Sequence, residues 1–330
     1  MSESRRKAFV LETFAPAYAR TEVAADLRQR AARALSSLES CRACPRECGA
    51  DRLAGGVGVC ETGRHARVSS AFPHTGEERC LVGTYGSGTI FFSWCNLKCV
   101  FCQNADISQQ PAGELLDAAV IADRMLRLQA AGCHNINFVS PSHVVAQIIE
   151  AVAEAVPRGL NLPLVYNTNA YDSVATLGRL DGIVDIYMPD FKFWAPRSAA
   201  RYCRAEDYPE RARAAVKEMH RQVGDLSFDS TGVAKRGLLV RHLVMPGGQA
   251  ESAAIFRWLA EEISPDTFVN VMAQYRPAHR VGRSRLMDGA LSGNAGASES
   301  YTEINRPLRQ GELEQAYDDA RRAGLWRFDA

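Results

Sequence analysis

The sequence predicts an α/β protein built around a parallel sheet, either open or curled into a partial barrel. Three observations carry that expectation: six apolar, β-rich runs follow Gly88, helical patterns separate them, and a loop-rich, cysteine-bearing stretch precedes them. Strands alternating with helices imply repeated right-handed crossovers, which put neighbouring strands parallel. In either form of the sheet a functional site lies at the carboxyl ends of the strands.

Residues 22–38 place apolar side chains at helical spacing among Arg, Asp and Gln, so they predict one amphipathic helix. Residues 41–88 are rich in glycine and cysteine, show little periodicity, and read as an appendage that needs something other than a core to fold it. A metal would serve. Strands are predicted at 89–93, 135–140, 162–168, 183–188, 238–244 and 267–272, with helices at 114–131, 142–156, 173–180, 197–223, 251–263 and 311–323. Residues 276–308, rich in Arg, Gly, Ser and Asn, read as a long loop of the kind that covers a site or moves. The expected division is residues 1–85 as helix and appendage, and 86–330 as the barrel.

Composition narrows the function. The 330 residues are 46% hydrophobic and 23% charged, with 39 basic against 38 acidic side chains, as in an ordinary soluble globular chain. Near-zero net charge and the lack of a basic aromatic stripe argue against a nucleic-acid partner. The first residues are charged with no apolar run behind them before Pro16, and no window reaches the ~18 apolar residues of a membrane span. A cytoplasmic location without a membrane partner is the expectation. There thiols stay reduced, so ten cysteines point to metal or chemistry more than to disulfides.

Directly after the first predicted barrel strand comes Ser93-Trp-Cys95-Asn-Leu-Lys-Cys99-Val-Phe-Cys102-Gln-Asn104. Three cysteines at these spacings can converge on one centre, and no fourth lies nearby in sequence to close it. Iron–sulfur clusters normally take four thiolates, so a missing ligand leaves one iron open to an exogenous donor. The Cys-x3-Cys-x2-Cys pattern, with Phe101 just before its last cysteine, resembles the defining motif of the radical S-adenosylmethionine enzymes. The strings His74-Thr-Gly-Glu-Glu78, Gly86-Ser-Gly-Thr-Ile-Phe-Phe-Ser93, Asp185-Ile-Tyr-Met-Pro-Asp-Phe-Lys192 and Val240-Arg-His-Leu-Val-Met-Pro-Gly247 are similar to the subgroup named for pyruvate formate-lyase activating enzymes.

That resemblance implies a partial (β/α)6 barrel of the radical S-adenosylmethionine type with an N-terminal cysteine-rich appendage. It implies a four-iron four-sulfur (4Fe-4S) cluster on Cys95, Cys99 and Cys102, with S-adenosylmethionine on the open iron. It further implies one-electron cleavage to methionine and a 5′-deoxyadenosyl radical, and an electron donor such as flavodoxin or ferredoxin. Phe101 and Asn104 are implied at the cofactor. The second strand ends in Ser140, Ser142 and His143, where many members have Gly-Gly-Glu. These polar groups are expected at the cofactor, or as a helix cap after Pro141. Asn167 and Asn169 end the third strand, placed to bond a ribose or carboxylate. Strand alternation separates Arg241 from His242, and Arg241 is the expected carboxylate anchor. Asp185, Asp190 and Lys192 fit a structural ion pair or a catalytic role, while Glu77 and Glu78 read on their own as a turn and a solvated face.

Cys41, Cys44, Cys48 and Cys60 form a second, closed four-thiolate set. Zinc explains it, and so does an auxiliary iron–sulfur cluster. Cys80, Cys133 and Cys203 read as ordinary thiols. The expected function is hydrogen abstraction from an unidentified substrate, either a glycine of a partner enzyme or a peptide or small molecule. A non-radical iron–sulfur or zinc scaffold is the reading of another class.

Overall fold

The computed structural model describes residues 7–282 and 301–329. Residues 283–300 of the expected 276–308 loop lie outside them. The chain enters through helix α1 (Thr21–Ser36), continues through the cysteine-bearing loops, and then forms β1 (Ala66–His74), β2 (Ser87–Phe92), β3 (Glu114–Leu116) and α2 (Ala118–Ala130). Next come β4 (Ile136–Val139), α3 (Val145–Ala155), β5 (Leu164–Thr168), α4 (Val174–Gly178), β6 (Ile186–Pro189), α5 (Pro196–Cys203) and α6 (Tyr208–Val223). The remaining elements are β7 (Ser227–Phe228), β8 (Ala234–Leu243), α7 (Ser252–Trp258), β9 (Phe268–Met272), α8 (Gln310–Arg322) and β10 (Arg327–Phe328).

Among the described residues the strands form one sheet in the order β10-β9-β8-β6-β5-β4-β2-β1-β3, with β7 paired to β8. The run from β2 through β4, β5, β6, β8 and β9 is parallel throughout. These are the six strands predicted from sequence, and the α/β class with a mostly parallel sheet is the observed one. Their residues are buried on both faces because helices cover one side and the barrel interior the other: Ile90, Phe138, Tyr166, Tyr187 and Val240 are all fully buried. Helix α1 buries Val23, Leu27, Ala31 and Ala34, one stripe at helical spacing, and packs on α3.

Four differences have local causes. Strand β1 lies inside the stretch read as loops; it pairs antiparallel with β2, carries Pro73 and a bulge between Val68 and Ser70, and so lacks a clean strand signature. The sheet therefore begins before the expected boundary at residue 85. The predicted 114–131 helix is divided, because Glu114–Leu116 pairs with β1 and Asp117 caps α2 by accepting from Val120 N at 3.0 Å. The predicted 197–223 helix breaks at Arg204, which is left-handed (φ 56°), and restarts with Pro209 in the first turn of α6. The predicted 251–263 helix is α-helical only to Trp258 and continues as a π-helix over Leu259–Ile263.

A buried carboxylate ties the N-terminal arm to the barrel. Asp185 is fully buried; its Oδ1 accepts from Ala17 N at 2.8 Å and its Oδ2 from Leu164 N at 3.1 Å. Replacing Asp185 with Ala leaves both donors in a dry site, at about 1–3 kcal/mol for each unsatisfied group. The variant is expected to unfold several degrees lower in a thermal melt, and an unchanged midpoint would show that solvent satisfies these amides instead.

Candidate radical site at the strand ends

The loop after β2 holds three cysteines in fixed positions. Trp94 N donates to Ile107 O at 2.9 Å and Val100 N to Tyr202 O at 2.9 Å, while Leu97, Val100 and Phe101 are buried. Phe101 packs edge-on against Phe193, with ring centroids 5.9 Å apart. Cys95 Sγ accepts from Leu97 N at 3.4 Å and from Asn169 Nδ2 at 3.2 Å. Cys102 Sγ contacts Ser108 Oγ at 3.1 Å. Cys99 Sγ lies 3.4 Å from Cys203 Sγ, so Cys203, read from sequence as an ordinary thiol, backs onto this group.

Cys95, Cys99 and Cys102 line one cavity with the carboxyl ends of the parallel strands: Ser140 after β4, Asn167 and Asn169 on and after β5, Asp190 and Lys192 after β6, and Arg241 on β8. Phe101 and Asn104 also line it. Burial pushes the Cys95 thiol up to about 12 and raises Cys102; contact with Cys203 and burial raise Cys99. The thiols are thus held protonated, and a metal must displace the protons as it binds. Three thiols on one loop at a shared cavity, with amide donors already on one sulfur, fit an iron–sulfur cluster as their guest.

Behind the thiols lies an ion network. Arg241 Nε donates to Asp190 Oδ1 at 2.7 Å, its Nη2 to Asn167 Oδ1 at 2.8 Å and its Nη1 to Glu78 Oε1 at 3.4 Å. Lys192 Nζ donates to Asp190 Oδ2 at 2.7 Å. Against the effect of burial, Arg241 and Lys192 hold Asp190 below the usual carboxylate range. Asn137 and Asn167 both donate to Glu77, and Asn270 Nδ2 donates to Glu78 Oε1 at 3.1 Å. His242 points the other way, to Phe191 O and Ser252 Oγ.

Two sequence expectations need correction. Glu77 and Glu78 are not a solvated face: their side chains are 10% and 4% exposed, facing Arg241. Their position follows from the β1–β2 hairpin, which no local pattern announced. Ser142 and His143, expected at the cofactor or as a cap, are absent from this cavity and cap no helix with their side chains. Left-handed Ser140 (φ 58°) turns the chain away; Ser142 Oγ bonds Thr168 Oγ1 at 2.9 Å, and His143 Nε2 donates to Ser93 O at 2.9 Å.

The fold and this cavity define a parallel-sheet protein with a three-thiol centre at the strand ends. Residues 89–234 match the model of the Radical SAM superfamily. It is similar to the uncharacterized protein MJ0674 of Methanocaldococcus jannaschii, with 29% identity over 296 residues, covering 87% of this chain and 76% of the relative. Among solved structures it is similar to TYW1 with a lysine–pyruvate adduct bound, at TM-score 0.34 and 11% identity over 51% of this chain and 59% of that one. It is also similar to the cobalamin-dependent S-adenosylmethionine radical enzyme OxsB with aqua-cobalamin bound, at TM-score 0.34 and 12% identity over 48% of this chain and 24% of that one. The chain spans less than two thirds of either structure's own length. No helix among the described residues is long and apolar enough to cross a membrane.

Glu77 supplies a pH test. Burial first, then Glu78, raises it from the ordinary 4.5 to about 7. The folded chain keeps this proton where the unfolded chain has released it, so the group's contribution to stability falls as pH rises from 4.5 through 7. Denaturant titrations of Glu77→Gln are expected to show a flatter stability profile across that window than the wild type. Parallel profiles would place the titration elsewhere.

Proposed function

We propose that this chain is a radical S-adenosylmethionine enzyme whose cluster is held by Cys95, Cys99 and Cys102. The convergence of these three thiols with the polar strand ends on one cavity, in a chain whose residues 89–234 match the Radical SAM superfamily model, carries the proposal. With cluster and cofactor bound, the pair supplies reductive cleavage of the sulfonium to methionine and a 5′-deoxyadenosyl radical, which takes hydrogen from the substrate.

The chain's own groups divide the remaining work. Asn169 donates to the Cys95 sulfur and favours its thiolate form. Glu78 and Asp190 balance Arg241 and Lys192, and Glu77, raised to about 7, ionises readily beside a cationic ligand such as a sulfonium or ammonium group. Arg241 is the group for the cofactor carboxylate, with Asp190 and Asn167 fixing its plane. Asn104, Ser140 and Asn167 offer hydrogen bonds along the same wall. Phe101, packed on Phe193 and Tyr275, keeps the side of the pocket dry.

Resemblance of the strings around Glu78, Asp190 and Arg241 to activating enzymes favours a glycine of a partner enzyme as hydrogen donor. A flavodoxin or ferredoxin would deliver the electron. The protein, reconstituted anaerobically with iron and sulfide and then reduced with S-adenosylmethionine present, is expected to form 5′-deoxyadenosine. Cys99→Ala should lower that product by at least a hundredfold. Failure of the iron-loaded wild type to make it, or persistence of product in the variant, would end the radical assignment.

A further inference from the structure

We propose that Cys41, Cys44, Cys48 and Cys60 hold a second iron–sulfur cluster, closed by four thiolates and seated against the loop that carries Cys95. The proposal concerns residues outside the radical cavity and stands or falls independently of it. All four cysteines line one cavity together with Arg46, Arg52 and His143.

Arg52 makes the electrostatic case. It is 1% exposed, yet its donors go to Gly63 O at 3.1 and 2.9 Å, His143 O at 2.9 Å and Cys41 Sγ at 3.6 Å. Among the described residues no carboxylate pairs with it. A buried guanidinium without an anion is costly, and of the groups lining this cavity that can carry negative charge, Glu47 and the four cysteines, the one Arg52 touches is Cys41. Metal binding makes thiolates of the cysteines.

His143 makes the second case. Its Nε2 donates to Ser93 O, which fixes the neutral tautomer and leaves a lone pair on Nδ1. That atom is buried and has no partner. His143 is among the residues that line the cavity of the four thiols. One sulfur already accepts a backbone bond: Val59 N donates to Cys48 Sγ at 3.4 Å. Gly58 leaves no room for a side chain there, since a Cβ would stand 2.6 Å from Cys48 Sγ.

A cluster and zinc would place the four sulfurs differently. A zinc site draws four sulfurs around one ion at ~2.3 Å. In a four-iron cluster each thiolate takes its own iron, and the sulfurs stand further apart. Metal content therefore distinguishes the cluster from the zinc alternative raised by the sequence.

The two cysteine sets meet through single residues. Asn96 accepts from Asn169 at 2.8 Å and lies beside Cys95 Sγ. Arg46 Nε donates to Asn96 O at 3.0 Å, and its guanidinium stacks over Tyr171. His143 joins Arg52 to Ser93 on the other side.

The test is metal content. The full chain carrying Cys95→Ala, Cys99→Ala and Cys102→Ala, reconstituted anaerobically with ferrous iron, sulfide and zinc all available, is expected to retain about four irons and four sulfides, with thiolate-to-iron absorption near the visible edge. One zinc per chain, or no metal in a variant whose circular dichroism matches the wild type, would overturn the proposal. Should the variant not fold, the wild type decides: about eight irons per chain support a second cluster and about four exclude it. Iron retained by the triple variant while the wild type makes no 5′-deoxyadenosine would uphold this site and remove only the radical assignment.

Discussion

A guanidinium in the lumen of a parallel barrel has to be neutralised, and much of this molecule is arranged around that requirement. Arg241 on β8 takes Asp190 from the end of β6, Asn167 from β5 and Glu78 from the segment before β2. Asn270 on β9 and Asn137 on β4 then hold the two glutamates. One cation thereby connects the carboxyl halves of five strands across the space they enclose. Removing a partner from such a buried set typically costs about 3–5 kcal/mol, so these contacts define the lumen's shape as firmly as the apolar layer beneath them. The cavity beside the cysteines inherits both its polarity and its rigidity from this network.

The barrel was legible in the sequence because each of its strands is a short apolar run between helical patterns, and burial on both faces demands that composition. The antiparallel edge was not. Strand β1 alternates imperfectly, contains Pro73 and is bulged, and beyond Val68 it pairs with β2 alone. Helix breaks at Arg204 and Asp117 were hidden for a related reason. The apolar spacing runs through them, and only the backbone geometry at Arg204 and the capping bond at Asp117 interrupt it.

The site divides along the same line. Cys95, Cys99 and Cys102 announce themselves because three ligands on one loop are a local pattern. Asn167, Asn169 and Arg241 could be placed by counting to strand ends and alternating faces. Glu77 and Glu78 could not, since a carboxylate pair in a glycine-rich turn looks solvated until a hairpin folds it over the barrel. His143 was assigned to the wrong chamber because a single left-handed residue, Ser140, redirects the chain after β4. Arg52 escaped notice among the many arginines of this chain; its total burial is a tertiary fact.

The bond from Ala17 to Asp185 also orders events in time. It joins groups 168 residues apart, and loop closure over such a separation is entropically unfavourable until both ends are already positioned. During synthesis the arm emerges before the barrel, yet its anchor does not exist until β6 has been made and paired with β5. The arm is thus made early and docked late, and the four cysteines that follow it wait unshielded until the barrel is ready to receive them.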